Sequence, residues 1–384
     1  MPLRRHLANP ILTRDSVPPV RPHLKDVSAV FNPGAAWAGP GELGNRIVLL
    51  LRVQNRGRET YLVRAESEPD PFGPTGGSQA PRHPAGGDAD AGAAAAPLRP
   101  ESHRAASFRV APGAVPIHGL ERLGRVYHAY DPRITRLEGS WFVTLALDVD
   151  DGCRVALART DDFRELELLG LVSPDDSRNG VLFPERIGGR YALLERPNRP
   201  AGELATGAAT GETTSGVPAA RERLTGDPAS GDAIVLSYSD DLRHWQRSGV
   251  VACGRPRYWD ERIGPGTPPV KTRAGWLLLY HGVATHFASV NLYQAGALLL
   301  DLEDPSRLVA RTRYNLLEPR APYETVGQVP NVVFPSGWVV ESFDEEGFAR
   351  PESRVLVFYG AADTVVGLAA TTIGELLDDC REGA

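Results

Sequence analysis

One carboxylate and a scattered basic set occupy positions where strand-like segments begin or end. Asp131 lies in Tyr130-Asp131-Pro132-Arg133-Ile134-Thr135, directly before a proline and ahead of the apolar segment around Trp141. The proline biases Asp131 toward an extended backbone. Its side chain then either caps a turn or points into a cavity as a proton donor. The basic set is Arg178 with its neighbour Asn179, Arg196, Lys271 after the rigid GPGTPPV stretch, and His281. Charged groups make poor core material unless partnered. Either these residues pair singly with Glu185, Glu195 and Glu261, or two guanidiniums and an ammonium converge on a tetrahedral oxyanion, with bidentate geometry from arginine. A lone histidine is more often structural than ligating, and His286, five residues beyond His281, is not at a ligand spacing on a strand. No metal site is expected. The chain has no GxSxG, P-loop or Rossmann fingerprint, and Gly264-Pro265-Gly266 reads as a turn.

The elements that must position these groups read as strands. Ile47–Arg52, Trp141–Leu147, Arg190–Arg196, Gly275–His281 and Arg354–Asp363 are apolar or aromatic runs, each ending in a polar group or leading to one. Radial repetition of small antiparallel sheets brings such termini to one mouth. Five runs predict an all-β, five-bladed propeller, with these runs as the innermost strands. A second echo supports repetition: Asp161-Asp162-Phe163 before LELLGLV matches Asp240-Asp241-Leu242 before HWQRSGVV. Helix is scarce, with Ile373–Asp379 the clearest candidate and Leu298–Asp304 a turn.

Composition narrows the function class. The chain has 384 residues, 42% hydrophobic and 23% charged, which suits one propeller unit spanning 1–384 with a sizeable core. Glu66–Ala106 and Asn198–Asp232 are rich in small and polar residues and read as loosely held insertions between strands. The net charge of −6 disfavours a nucleic-acid partner, so an anion site must be local. Three widely spaced cysteines without a CxxC pair suit reduced thiols. No apolar run is long enough for a membrane span or a signal peptide, which leads us to expect a cytoplasmic protein with no membrane partner. Self-association through the N-terminal segment stays open.

The chain resembles glycoside hydrolase family 130, the β-mannoside phosphorylases and related β-mannosidases. The resemblance is carried by FNPGA (Phe31–Ala35), LLLRV (Leu49–Val53), YDPRIT (Tyr130–Thr135), SRNGVLFPERIGGRYALLERP (Ser177–Pro197), RIGPGTPPVKTRAGWLLLYHGV (Arg262–Val283), GALLLDLEDP (Gly296–Pro305), VPNVVFPSG (Val329–Gly337) and FYGAAD (Phe358–Asp363), in family order. It implies a five-bladed propeller with Asp131 as the catalytic acid and Asn32, Arg52 and Asp363 on the sugar of the cleaved subsite. It further implies Arg178, Asn179, Arg196, Lys271 and His281 around phosphate. No cofactor is implied; inorganic phosphate is a co-substrate beside a β-mannoside. The expected reaction is inverting, reversible phosphorolysis to α-mannose 1-phosphate. Two alternatives stand beside it: a hydrolase whose water is activated by Glu185 or Glu195, and a non-catalytic sugar-binding propeller.

Overall fold

The computed structural model describes residues 3–39, 43–73, 103–198, 231–285 and 291–383. Five antiparallel sheets form a ring. The first blade runs β2 (Val27–Ala36), β3 (Val48–Asn55), β4 (Thr60–Ser67) and β5 (Phe108–Val110). The second runs β7 (Val126–Leu137), β8 (Ser140–Val149), β9 (Gly152–Thr160) and β10 (Leu166–Leu171), with β6 (Ile117–His118) added in parallel at its rim. β11 (Ser177–Leu182), β12 (Tyr191–Pro197), β13 (Ala233–Ser239) and β14 (Trp245–Cys253) make the third. The fourth holds β15 (Arg262–Pro265), β16 (Val270–Thr272), β17 (Gly275–Ala284), β18 (Leu292–Leu300) and β19 (Leu308–Arg311). The fifth is β20 (Val333–Val340), β21 (Arg354–Ala361) and β22 (Val365–Thr372), closed by β1 (Arg4–Arg5) from the other end of the chain.

The blade count matches the sequence expectation, but the strand positions differ. Each of the five apolar runs lies in the second strand of its blade, β3, β8, β12, β17 or β21, not the innermost. Those strands have a partner on each side and a neighbouring blade on each face, which is why they are apolar on both faces. The innermost strands are β2, β7, β11, β15 and β20. β2 packs on β7 and β20, and β11 packs on β7 and β15. Their axial edges need no ladder partner, so they tolerate Pro33, Pro132, Pro265 and Pro335. Gly264 and Pro265 accordingly belong to a strand, not a turn.

Bulges break the register of four innermost strands, at Phe31/Gly34, Tyr130/Arg133, Arg178/Val181 and Pro335/Gly337. Asn32, Asp131 and Asn179 sit in the first three at φ +46°, +52° and +58°. Asp131 is therefore left-handed rather than extended as Pro132 alone suggests; Asn and Asp tolerate that region best among side chains with a Cβ. A bulge re-aims a side chain that regular pleating would place elsewhere.

The outer-strand echo is physical. Phe163 N donates to Thr160 Oγ1 and Leu242 N to Ser239 Oγ, and both apolar residues are left-handed, at φ +63° and +65°. The C-terminal helix extends over Ile373–Glu382, while Leu298–Leu300 is strand and the turn follows it. The first inserted segment is shorter than the composition suggests. Glu66 and Ser67 complete β4, and Phe72 and Ala105 are buried in the core. Likewise Asn198 and Asp232 are held at their strand ends. The interiors of both insertions lie outside the described residues. Among the described residues, no helix is long and apolar enough to cross a membrane.

Ring closure rests on β1. Arg5 donates twice to the fully buried Glu324, at 2.7 and 2.8 Å, and Glu324 also accepts from Tyr359 Oη at 2.9 Å and from the amides of Arg320 and Ala321. Arg5→Ala leaves that carboxylate without its counter-charge, at a cost of about 3 kcal/mol. The urea midpoint should fall at unchanged slope; a midpoint equal to wild type would show that the strand does not fasten the ring.

Candidate active site

The bulged strand ends open into one cavity of about 1010 Å³ at one end of the propeller. It is polarised. The first, second and fifth blades deliver Asn32, Arg52, Asp131 and Asp363; the third and fourth deliver Arg178, Asn179, Arg196 and Arg262.

Asp131 is the best-held group. Its Oδ1 accepts from Asn32 Nδ2 at 3.0 Å and from Arg52 Nη1 at 2.9 Å. The Arg52 guanidinium is itself sandwiched, 4.5 Å from the Phe31 ring centre and 4.3 Å from that of Tyr130. Gly360 makes this packing fit, since a Cβ there would lie 1.9 Å from Asn32 Oδ1. Arg133, buried behind, donates to the Asp131 carbonyl at 2.8 Å and to the Gly266 carbonyl of the fourth blade at 2.6 Å, fastening the bulge. Burial pushes the Asp131 carboxyl up, but Arg52 and Arg133, with the bonds from Asn32 and Arg52, outweigh it and hold it below the usual carboxylate range.

Asp363 ends the FYGAAD segment in a left-handed pair with Ala362, at φ +48° and +46°. Burial and the nearby Asp131 push its carboxyl up to about 6 against the pull of Arg52. One guanidinium thus serves two carboxyls whose proton affinities are driven apart, an arrangement typical of acid–base sites.

The opposite wall is cationic. Burial and the neighbouring Arg178 lower Arg196 to about 10, still protonated at neutral pH. For Arg178, burial works against the charge, but Tyr130, Cys153, Asp176 and Asp148 together raise its pKa. The Nε donors of Arg178 and Arg196 have no hydrogen-bond partner among the described residues. Two close guanidiniums with idle buried donors gain most from an anion that bridges them.

The remaining sequence candidates fall elsewhere. His281 is fully buried behind the wall, against Phe334 and Tyr293, and neither ring nitrogen has a hydrogen-bond partner among the described residues. Burial first, then Arg196 and Arg133, hold it well below its usual pKa, so it is neutral. Gly264 leaves room for it: a Cβ there would lie 2.5 Å from the imidazole and 2.9 Å from Arg196 Cδ. Lys271 does not join the cluster. It pairs with Trp276 at the far end of β17 and bonds Glu185 at 2.7 Å, whereas His281 pairs with Gly264 near the cavity. Five residues of strand separate those levels, about 17 Å. Lys271 is thus paired singly with Glu185, while Arg178 and Arg196 stand opposite one another in register and both line the cavity. Arg262, which the sequence reading did not single out, lines the cavity beside them, where Lys271 does not. Glu195 alternates with Arg196 and faces the opposite side of its strand, buried against Arg247 at 3.0 Å. Glu261 accepts from Thr285. Tyr130, Tyr293 and Arg133 were also not singled out; Tyr130 and Arg133 lie inside the YDPRIT motif, while no quoted motif contains Tyr293.

The raised Asp363 carboxyl makes a stability prediction. Its folded value, about 6, exceeds the unfolded 3.8, so ionising it costs the folded state stability as pH rises through that window. Asp363→Asn should raise the melting temperature above about pH 7 and converge with wild type below about pH 4. A variant equally destabilised at both pH values contradicts this placement.

A family model described as beta-1,4-mannooligosaccharide phosphorylase matches residues 227–382. The 1,2-beta-oligomannan phosphorylase of Thermoanaerobacter sp. (strain X514) is 32% identical over 62% of this chain and 66% of its own length. The Beta-1,4-mannooligosaccharide phosphorylase of Ruminococcus albus is 30% identical over 67% of each chain. The matched stretches thus span about two thirds of the length of these relatives. In structure, the β-1,2-mannobiose phosphorylase of Listeria innocua superposes with a TM-score of 0.69 at 22% identity, covering 100% of both chains. With its five blades and its motifs in family order, the chain belongs to glycoside hydrolase family 130.

Proposed function

We propose that this protein catalyses the reversible, inverting phosphorolysis of a β-mannoside, releasing α-mannose 1-phosphate and a shortened sugar. The observation that carries this reading is the polarity of the cavity, with Asp131 pinned on one side and Arg178, Arg196 and Arg262 facing it. The named relatives, all phosphorylases of mannosides, support it.

An inverting glycosidase places a second carboxylate across the sugar to activate water. Among the described residues, Glu185 and Glu195 are both engaged in ion pairs away from the cavity. Asp148 accepts from Tyr130 Oη at 2.7 Å. Phosphate is already an anionic nucleophile and needs cations to hold it against repulsion from the acid side and to aim one oxygen at C1. The guanidinium wall suits that role. A sugar-binding module would have no use for it.

Asn32, Arg52 and Asp363 hold the mannosyl unit in this reading, and Asp131 hands a proton to the departing oxygen, directly or through a sugar hydroxyl. The resting Asp131 is ionised, which is the state required of a base in the synthetic direction. Phosphorolysis needs it protonated. Its rate should therefore rise as pH falls toward the Asp131 pKa, so that its optimum lies below that of synthesis.

Kinetics with purified variants test the assignment. Arg196→Ala should raise KM for phosphate about tenfold or more, the loss of one charge-assisted hydrogen bond, with a smaller effect on KM for the mannoside. Lys271→Ala, at the far end of the ring, should leave both unchanged. Asp131→Asn should lower turnover by about 10²–10⁴-fold with the fold intact. Turnover indifferent to added phosphate would replace this reading with hydrolysis.

A further inference from the structure

We infer, building on the phosphorolysis reading, that the leaving sugar docks on the rim of the first blade against Gln54, Arg58 and Thr60, with His128 of the second blade beside them, and that Arg58 selects it. In a single inverting displacement the nucleophile and the leaving group occupy opposite faces of C1. The cationic wall that would hold phosphate comes from the third and fourth blades. In a five-membered ring, those are the two blades across the axis from the first.

The rim of the first blade is built to meet hydroxyl groups. Climbing from Arg52 toward the opening, β3 presents Gln54 on the same face, two residues on, and the β4 residue in register with it is Thr60. His128 stands on β7 above Tyr130 and Asp131. All four side chains line the same cavity as Asp131. Among the described residues, Thr60 Oγ1 and His128 Nδ1 are buried without a hydrogen-bond partner. Buried polar atoms are rarely left so unless something else completes them.

Arg58 crowns this wall. It occupies the β3–β4 turn at φ +69°, an exposed position where arginine gives the backbone no advantage over glycine. Its Nη1 donates to Gln328 Oε1 at 2.9 Å and to Gln54 Oε1 at 3.4 Å. Both are neutral amides. The contact joins two neighbouring blades at the rim, because Gln328 N is bonded to Thr364 Oγ1, next to Asp363 in the fifth blade. A guanidinium held by amides keeps its charge and its fork of donors for a pair of adjacent sugar hydroxyls. The expected acceptor is a neutral pyranose offering such a pair to Arg58, while its reacting hydroxyl faces Asp131.

Initial rates in the synthetic direction test this, with α-mannose 1-phosphate as donor and mannose, glucose, N-acetylglucosamine and β-mannobiose as acceptors. Arg58→Ala and Arg58→Gln should raise KM for the preferred acceptor about tenfold and narrow the differences among acceptors. KM for α-mannose 1-phosphate should stay at its wild-type value, as should the melting temperature. Thr60→Val should act in the same direction more weakly. Acceptor KM unchanged in all three variants, with an active wild type, overturns the subsite but leaves phosphorolysis standing. An equal rise in KM for donor and acceptor also overturns it. A wild type that releases no phosphate with any acceptor overturns phosphorolysis and this subsite together.

Discussion

Everything at the mouth of this propeller depends on keeping one buried carboxylate charged. Asp131 is nearly sealed from water, where an unpaired anion is prohibitively costly. It survives because Asn32 and Arg52 both donate to one oxygen and because Arg133 stands behind it. Those partners come from two blades, and the Arg133 side chain reaches a third through the Gly266 carbonyl. The electrostatic need of one side chain therefore ties neighbouring blades together. It also explains why Arg133, an arginine with no access to solvent, is present at all.

The backbone answers the same need. Regular strands alternate their side chains with a period of two and would turn half of the polar groups into the blades. Bulges at Asn32, Asp131 and Asn179 reset that alternation, and each places a short polar side chain in left-handed geometry. Conformations of this kind cost free energy and persist where surrounding structure over-determines them. Here the ring does so, because each bulged strand packs against the innermost strand of the next blade.

Much of this was legible in the sequence, and the failures have physical causes. Five apolar runs gave the correct blade number because every second strand is buried on both faces, whichever fold family is in view. Their position was misjudged because the innermost strands, rich in Pro, Gly, Asn and Asp, look like loops. Asn32, Arg52, Asp131, Arg178, Asn179, Arg196 and Asp363 all reach one cavity, as the motif resemblance implied. Lys271 could not be excluded from residue type alone. Its distance from the site follows from strand direction: β17 runs from Trp276 to His281 toward the cavity, and Lys271 pairs at its start. Arg262 was missed for the complementary reason, lying at the cavity end of a strand that reads as part of a turn.

The division of the cavity into an acidic and a cationic half is the central claim, and the fate of the anomeric centre tests it most directly. A mannoside incubated with the enzyme and inorganic phosphate can be followed by proton and phosphorus NMR. Phosphate attacking from the guanidinium wall predicts α-mannose 1-phosphate, formed in step with the shortened sugar, and no reaction when phosphate is left out. Free mannose accumulating at the same rate without phosphate, or the β anomer of the phosphate ester, would contradict it.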